Sequence, residues 1–198
     1  MKKHFLLLVA VAFVLPLAAQ KWAKNFDFVN ECICGLSLVG KDKKYGYVDK
    51  AGNVKVPVEF NEGLTFSMGY SAVRKDNKWA FLDSTGKFIT EFIYTDAQGF
   101  TEALAPAKKE SGWGFVDALG HEVIPFYYSN ARQFTERLAA VCASDKKQLW
   151  GYINQRGDII IPFSYTFADS FTEEGKARVT DKAGNFMWIN KVGDKVGE

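Results

Sequence analysis

The chain has 198 residues, 47% of them apolar, with 25 basic and 23 acidic side chains. That composition excludes a disordered chain and supplies enough apolar surface for one domain with a core. Because Lys2 and Lys3 fall in the first 20 residues, the remainder is balanced at 23 against 23, with no basic stripe of the kind that neutralises nucleic-acid phosphates.

Taken from the start, MKKHFLLLVAVAFVLPLAAQ carries two lysines, an apolar run from Phe5 to Leu15, Pro16 and small residues at Ala18 and Ala19. The run is near half the roughly 20 residues a membrane span needs, so residues 1–20 read as a secretory signal peptide and residues 21–198 as the mature domain. The mature start is expected near Gln20 or Lys21. The expected location is therefore bacterial export, to the periplasm or the extracellular space, with no membrane segment in the mature chain.

The rest of the sequence repeats itself. An aromatic residue followed by a small or flexible one recurs as Tyr45-Gly46, Trp79-Ala80, Trp113-Gly114, Trp150-Gly151 and Phe186-Met187, at intervals of 34, 34, 37 and 36. Gly52, Gly86, Gly120, Gly157 and Gly193 follow at the same intervals, and Pro57, Pro125 and Pro162 come five residues after their glycines, with Glu91 in that place in the second copy. Downstream stand Phe60, Tyr94, Tyr128 and Tyr165, then Phe66, Phe100, Phe134 and Phe171.

Each copy reads as three short strands. The first, such as WGFVD, alternates aromatics on one face with small or aliphatic residues on the other, so both faces are covered. An Asp or Asn followed three residues later by Gly then marks a tight turn, since the side chain bonds its own backbone and Gly accepts the left-handed conformation. The second strand carries the proline, which suits an edge. The third, as in SMGYSAV or TERLAAV, is small and apolar. Phe26–Val39 supplies the last two strands of a copy, with Cys32 in the place of Phe66, and the NFMWINKVGDKV segment supplies a first strand and turn. The expected fold is all-β: five tandem repeats of about 34 residues, one split between the termini, forming a propeller-like ring or an open curved array. The split repeat favours the ring.

The pattern W-G-F-V-D-x-x-G, then I-P, an aromatic and a later F-x-E resembles the WG-repeat family, also described as KWG repeats, over about Phe26 to Val196. Trp79-Ala80 and Phe186-Met187 depart from it. The resemblance implies a β-rich module of bacterial exported or multidomain proteins that binds or scaffolds, and it transfers no catalytic residue.

Residues able to carry chemistry are few. Three cysteines, Cys32, Cys34 and Cys142, are too few and odd in number for a disulfide scaffold, and each reads as a small buried hydrophobe. His121, the single histidine after residue 20, follows the turn glycine Gly120, a polar flank expected to be exposed. Neither a metal site nor a cofactor is expected. Glu102, Glu136, Glu173 and Glu174 follow the repeated Phe, and a ring could bring two of them to the ~5 to 9 Å that glycoside chemistry needs; Met68 in the first copy favours a solvated rim instead. The loops Asp145–Gln148 and Lys108–Glu110 are candidate contact sites. The expected function is a non-enzymatic binding or scaffold module for a protein or cell-envelope glycan; the alternative is an envelope glycan hydrolase or lyase using the rim carboxylates.

Overall fold

The computed structural model describes residues 21–197; the signal-peptide reading of residues 1–20 lies outside the described residues. A short 3-10 helix, Lys21–Asn25, precedes five antiparallel sheets, each an up-and-down meander whose strands follow chain order. Sheet 1 holds β1 (Phe28–Ile33), β2 (Leu36–Lys41), β3 (Lys44–Asp49) and β4 (Val54–Phe60); sheet 2 holds β5 (Glu62–Gly63), β6 (Tyr70–Lys75) and β7 (Lys78–Asp83). Sheet 3 is β8 (Asp96–Ala97), β9 (Leu104–Lys109), β10 (Gly112–Asp117) and β11 (Glu122–Tyr128). Sheet 4 is β12 (Asn130–Ala131), β13 (Leu138–Cys142), β14 (Trp150–Asn154) and β15 (Ile159–Tyr165), and sheet 5 is β16 (Phe167–Ala168), β17 (Ala177–Thr180), β18 (Phe186–Ile189) and β19 (Lys195–Val196).

The all-β, five-unit organisation is present, but a sheet is not a sequence repeat. Four strands, not three, make up four of the sheets. In sheets 3, 4 and 5 the added strand is the two-residue segment after the downstream aromatic, too short to show an alternating pattern, as where Asp96 and Ala97 pair with Lys108 and Ala107; in sheet 1 it is the six-residue β1. Sheet 2 replaces its outer strand by the bridges Leu82–Phe88 and Trp79–Tyr94, in the copy that has Glu91 where the others have proline.

The cut between units also moves. The tight β2–β3 hairpin, closed by the Lys41–Lys44 pair, joins the third strand of one sequence copy to the first strand of the next. Consequently β1 and β2 find their partners in β3 and β4, and β18 and β19 find theirs in β16 and β17, so the two chain ends do not need each other. Among the described residues no strand of sheet 5 pairs with one of sheet 1. Apolar clusters fill the junctions between sheets 1 and 2, 2 and 3, 3 and 4, and 4 and 5. None among the described residues joins sheet 5 to sheet 1.

The junctions share one design. Tyr47, Phe81, Phe115 and Tyr152, from the strand that opens with the aromatic-glycine pair, are all fully buried. Each meets the phenylalanine carried by the following sheet: Tyr47 with Phe66 at 4.9 Å, Phe81 with Phe100 at 5.4 Å, Phe115 with Phe134 at 4.9 Å and Tyr152 with Phe171 at 4.9 Å. Where the ring is tyrosine, its hydroxyl donates across the junction, from Tyr47 to the Leu64 carbonyl at 2.6 Å and from Tyr152 to the Asp169 carbonyl at 2.8 Å. Burial pushes both phenols well above their ordinary value, so they remain protonated donors.

The turns explain the recurrent Asp and Gly. Asp49 Oδ1 accepts the Ala51 and Asn53 amides, both at 2.9 Å, and Asn154 Oδ1 does the same for Arg156 at 2.9 Å and Asp158 at 3.0 Å. The glycine that follows has positive φ, and in sheet 3 a Cβ on Gly120 would lie 2.2 Å from the Ile89 carbonyl oxygen of sheet 2. Each such turn is thus pressed onto the preceding sheet. Among the described residues no sheet precedes the first, and there Trp22 takes that place: a Cβ on Gly52 would meet Trp22 at 2.2 Å, and the indole N–H donates to the Lys50 carbonyl at 3.3 Å. That turn of sheet 1 is therefore covered by Trp22.

Candidate functional site at the free end of the array

The other end is built differently. Phe186 and Trp188 continue the aromatic series of β3, β7, β10 and β14, in which Tyr45 with Tyr47, Trp79 with Phe81, Trp113 with Phe115 and Trp150 with Tyr152 project toward the next sheet. Residues two apart on a strand share a face. Met187 and Ile189, on the opposite face of β18, pack into the junction with sheet 4. Phe186 and Trp188 accordingly project from the outer face of sheet 5, which no further described sheet covers; Phe186 is 72% exposed.

Cross-strand neighbours mark the difference most clearly. In the inner sheets the buried ring stands opposite Leu38 and Val56, Ala72, Pro106 and Ile124, or Ala140 and Ile161. Trp188 stands opposite Val196 and Arg178. The Arg178 guanidinium is half exposed, pairs with Asp169 at 3.1 Å and lies 5.9 Å from the Phe186 ring centre. Two adjoining clefts share the indole. One, of about 720 Å³, is lined by Thr172, Glu173, Glu174, Lys176 and Trp188; the other, of about 540 Å³, by Arg178, Phe186, Met187, Trp188, Lys195 and Val196 with Gly197.

Of the rim carboxylates, Glu173 and Glu174 reach this face, whereas Glu102 and Glu136 act as tethers between sheets. Glu102 Oε2 accepts the Arg137 amide at 2.9 Å and the Gln155 side-chain amide at 3.3 Å, and Glu136 Oε2 accepts Lys191 at 2.6 Å. Both glutamates occupy left-handed turn positions, as does Met68, whose Sδ accepts the Ala103 amide at 3.5 Å. Met68 is therefore a working member of that series and not an interruption of it.

His121 is exposed, with Nδ1 at 3.2 Å from Asp117 Oδ2. Cys142 is buried, as expected, but Cys32 is half-buried and Cys34 is exposed, because Cys34 lies in the tight turn between β1 and β2 with φ of 53° instead of continuing the strand. No cluster of three or more His, Cys, Asp or Glu suited to a metal occurs among the described residues. The Asp145–Gln148 loop is organised by Asp145, which accepts the Lys147 amide at 3.0 Å, and Asp145 borders a cleft of about 360 Å³ with Tyr127, Tyr128, Ile159 and Phe163. Lys109 of the second candidate loop pairs with Glu122 and lies over the Phe126 ring, within the sheet.

The WG-containing repeat matches four tandem segments, residues 45–79, 80–112, 113–146 and 150–185. The chain belongs to the WG-containing repeat family.

No curated protein matches this WG-repeat chain in sequence. Among solved structures it is similar to a eukaryotic initiation factor at a TM-score of 0.58 and 10% identity, over 87% of this chain and 53% of that one. It is also similar to Hsv2p of Kluyveromyces lactis at a TM-score of 0.51 and 12% identity, over 81% of this chain and 60% of that one. BamB of Moraxella catarrhalis follows at 0.50 and 11% identity, over 82% and 57%. These are β-propeller proteins, and at such low identity the likeness is one of fold. The WG-repeat chain spans a little over half the length of each.

The composition of the outer face is what reading the sequence alone missed. Phe186-Met187 is visible as a departure from the Trp-Gly pair, but Trp188 becomes informative only as the fifth member of the Tyr47 series, once register aligns it there. Arg178 becomes informative only once strand register aligns it with Leu38, Ala72, Pro106 and Ala140.

Proposed function

We propose that this WG-repeat chain is an exported, non-enzymatic binding or scaffold module that presents the outer face of sheet 5 to a protein or envelope-glycan partner. The observation that carries the reading is the uncovered aromatic pair. In sheets 1 to 4 the ring at the Trp188 position is fully buried and the one at the Phe186 position is buried (Trp79, Trp113) or half-buried (Tyr45, Trp150), yet on sheet 5 both line open clefts together with charged side chains. An apolar, aromatic cleft with a few polar groups around it is the usual composition of a binding site. Export rests on the pattern of residues 1–20, and no described helix is long and apolar enough to cross a membrane.

The test is capture from the source cell's envelope fraction by the processed chain, compared with the same chain carrying Phe186→Ala and Trp188→Ala. A protein or glycan retained by the first and not by the second supports the module. Equal retention by both, or none, refutes the assignment to this face. N-terminal sequencing of the protein recovered from the periplasm or medium tests export, with a start near Gln20 or Lys21 expected.

A further inference from the structure

We infer that the outer face of sheet 5 binds an uncharged oligosaccharide laid across Phe186 and Trp188; the inference rests on the binding-module reading and names its ligand class. Two classes of occupant fit an aromatic face, another β-sheet or a ligand that keeps its water and hydrogen bonds. Arg178 decides between them.

In every inner sheet the residue at this register is Leu38, Ala72, Pro106 or Ala140, apolar and mostly small, and the next sheet closes over it. A sixth sheet stacked in the same way would bury the Arg178–Asp169 pair, and removing such charges from water is costly even when they stay paired. Polar substitution of an outer face is also how a terminal repeat avoids further stacking. The sheet-1 face that would have to dock there in a second copy is already occupied by Trp22 at Gly52.

A sugar meets both requirements. Its axial C–H face is apolar and packs flat on an aromatic ring, while its equatorial hydroxyls reach outward to charged and amide groups. Phe186 and Trp188 lie two residues apart on one strand face, about 7 Å along the strand, near enough for sugars of one short chain to rest on both rings. The larger cleft places Thr172, Glu173, Glu174 and Lys176 beside the indole, and the smaller one places Arg178 and Lys195 there. Those groups supply acceptors on one side of Trp188 and donors on the other. Their charges largely compensate, since Arg178 is paired with Asp169 and Lys176 lies 3.9 Å from Glu174. This balance favours a neutral glycan over an anionic one.

The test uses the whole purified chain and a panel of neutral hexasaccharides: β-1,4-glucan, β-1,3-glucan, β-1,4-mannan, β-1,4-xylan and α-1,4-glucan. Indole fluorescence and calorimetry follow binding. At least one hexasaccharide is expected to bind saturably, with affinity lost in Trp188→Ala, at least tenfold weaker in Phe186→Ala and Arg178→Ala, and unchanged in Leu119→Ala in the exposed turn of sheet 3. Trp188→Phe, expected to bind weakly but measurably, separates loss of stacking from misfolding. The inference is overturned if no member binds or if binding survives Trp188→Ala. A Trp188-dependent protein captured from the envelope without hexasaccharide binding would retain the module and discard the glycan. A dimer in sedimentation that Trp188→Ala converts to monomer would assign the face to a second copy, and so would also overturn the inference.

Discussion

Phe115 on β10 and Phe134 ahead of β13 meet ring to ring at 4.9 Å across the junction between sheets 3 and 4, and both are fully buried. The contact repeats at every other junction, so it is the joint of the array rather than a local packing detail. Phe115→Ala and Phe134→Ala should each cost about 3–5 kcal/mol in urea denaturation. The double substitution should fall short of the sum by roughly 0.5–1.5 kcal/mol, the coupling of an aromatic pair. Strict additivity would show that each ring is stabilised by its own sheet and not by the other.

Gly120 and Gly184 have almost the same backbone, with φ of +83° and +86°, but different surroundings: a Cβ at Gly120 would meet the Ile89 carbonyl oxygen at 2.2 Å, while one at Gly184 meets nothing within 4 Å. Gly184→Ala should therefore cost only the left-handed penalty, about 1–2 kcal/mol. Gly120→Ala adds a collision between sheets and should exceed it by about 1–3 kcal/mol. Equal denaturation midpoints for the two variants would mean that the turn does not bear on sheet 2.

Much of this architecture is legible in the sequence because the repeat supplies its own controls. The Asp49 turn is recognisable because Asn154 replaces it with the same carbonyl-type acceptor while the glycine is kept. The strand that opens with Trp-Gly shows covered faces because both of its alternating sets are apolar. What the sequence hides is phase and closure. A repeat can be cut anywhere, and only the Lys41–Lys44 hairpin pairing shows that a sheet begins before the aromatic-glycine pair. Closure was equally hidden, since the split repeat suggests a ring, and the residues that argue against one, Trp22 and Arg178, carry no signal until register places them. Cys34 was misread for a related reason, as alternation alone cannot tell the last residue of a strand from the first of a left-handed turn.

Trp22 sits against the Gly52 turn where the later turns meet a preceding sheet, and its removal should be felt locally. Val39 and Val48 of sheet 1 are fully buried although among the described residues no sheet lies before them. In a linear array each unit depends chiefly on its neighbours. Trp22→Ala should raise amide hydrogen exchange in β2 and β3 by tenfold or more while leaving β13 and β14 unchanged. Uniform acceleration across all five sheets would indicate a single cooperative unit and contradict the linear picture.

Asp49 gives the array a defined acid sensitivity. The Asn53 side chain and the Asn53 and Ala51 amides donate to its carboxylate, and Lys55 lies 3.4 Å away, so its pKa is lowered to about 2. Unfolded, the same group titrates near its ordinary value of about 3.9. Between these values the unfolded chain binds more protons, so the stabilisation is complete above about pH 4 and disappears as pH falls toward 2. Asp83, Asp117 and Asp181 are shifted in the same direction by their own turn hydrogen bonds, and their contributions add to the slope. Asp49→Asn retains the Oδ1 acceptor, as Asn154 does naturally, but cannot be protonated in this range. The variant should be somewhat less stable than the parent at pH 7, and the difference in urea midpoint should narrow as pH drops from 4 to 2. A constant difference over that interval would show that the carboxylate charge contributes nothing and that the turn depends only on its acceptor oxygen. Asp49→Ala, which removes the acceptor as well, should remain the least stable of the three at every pH.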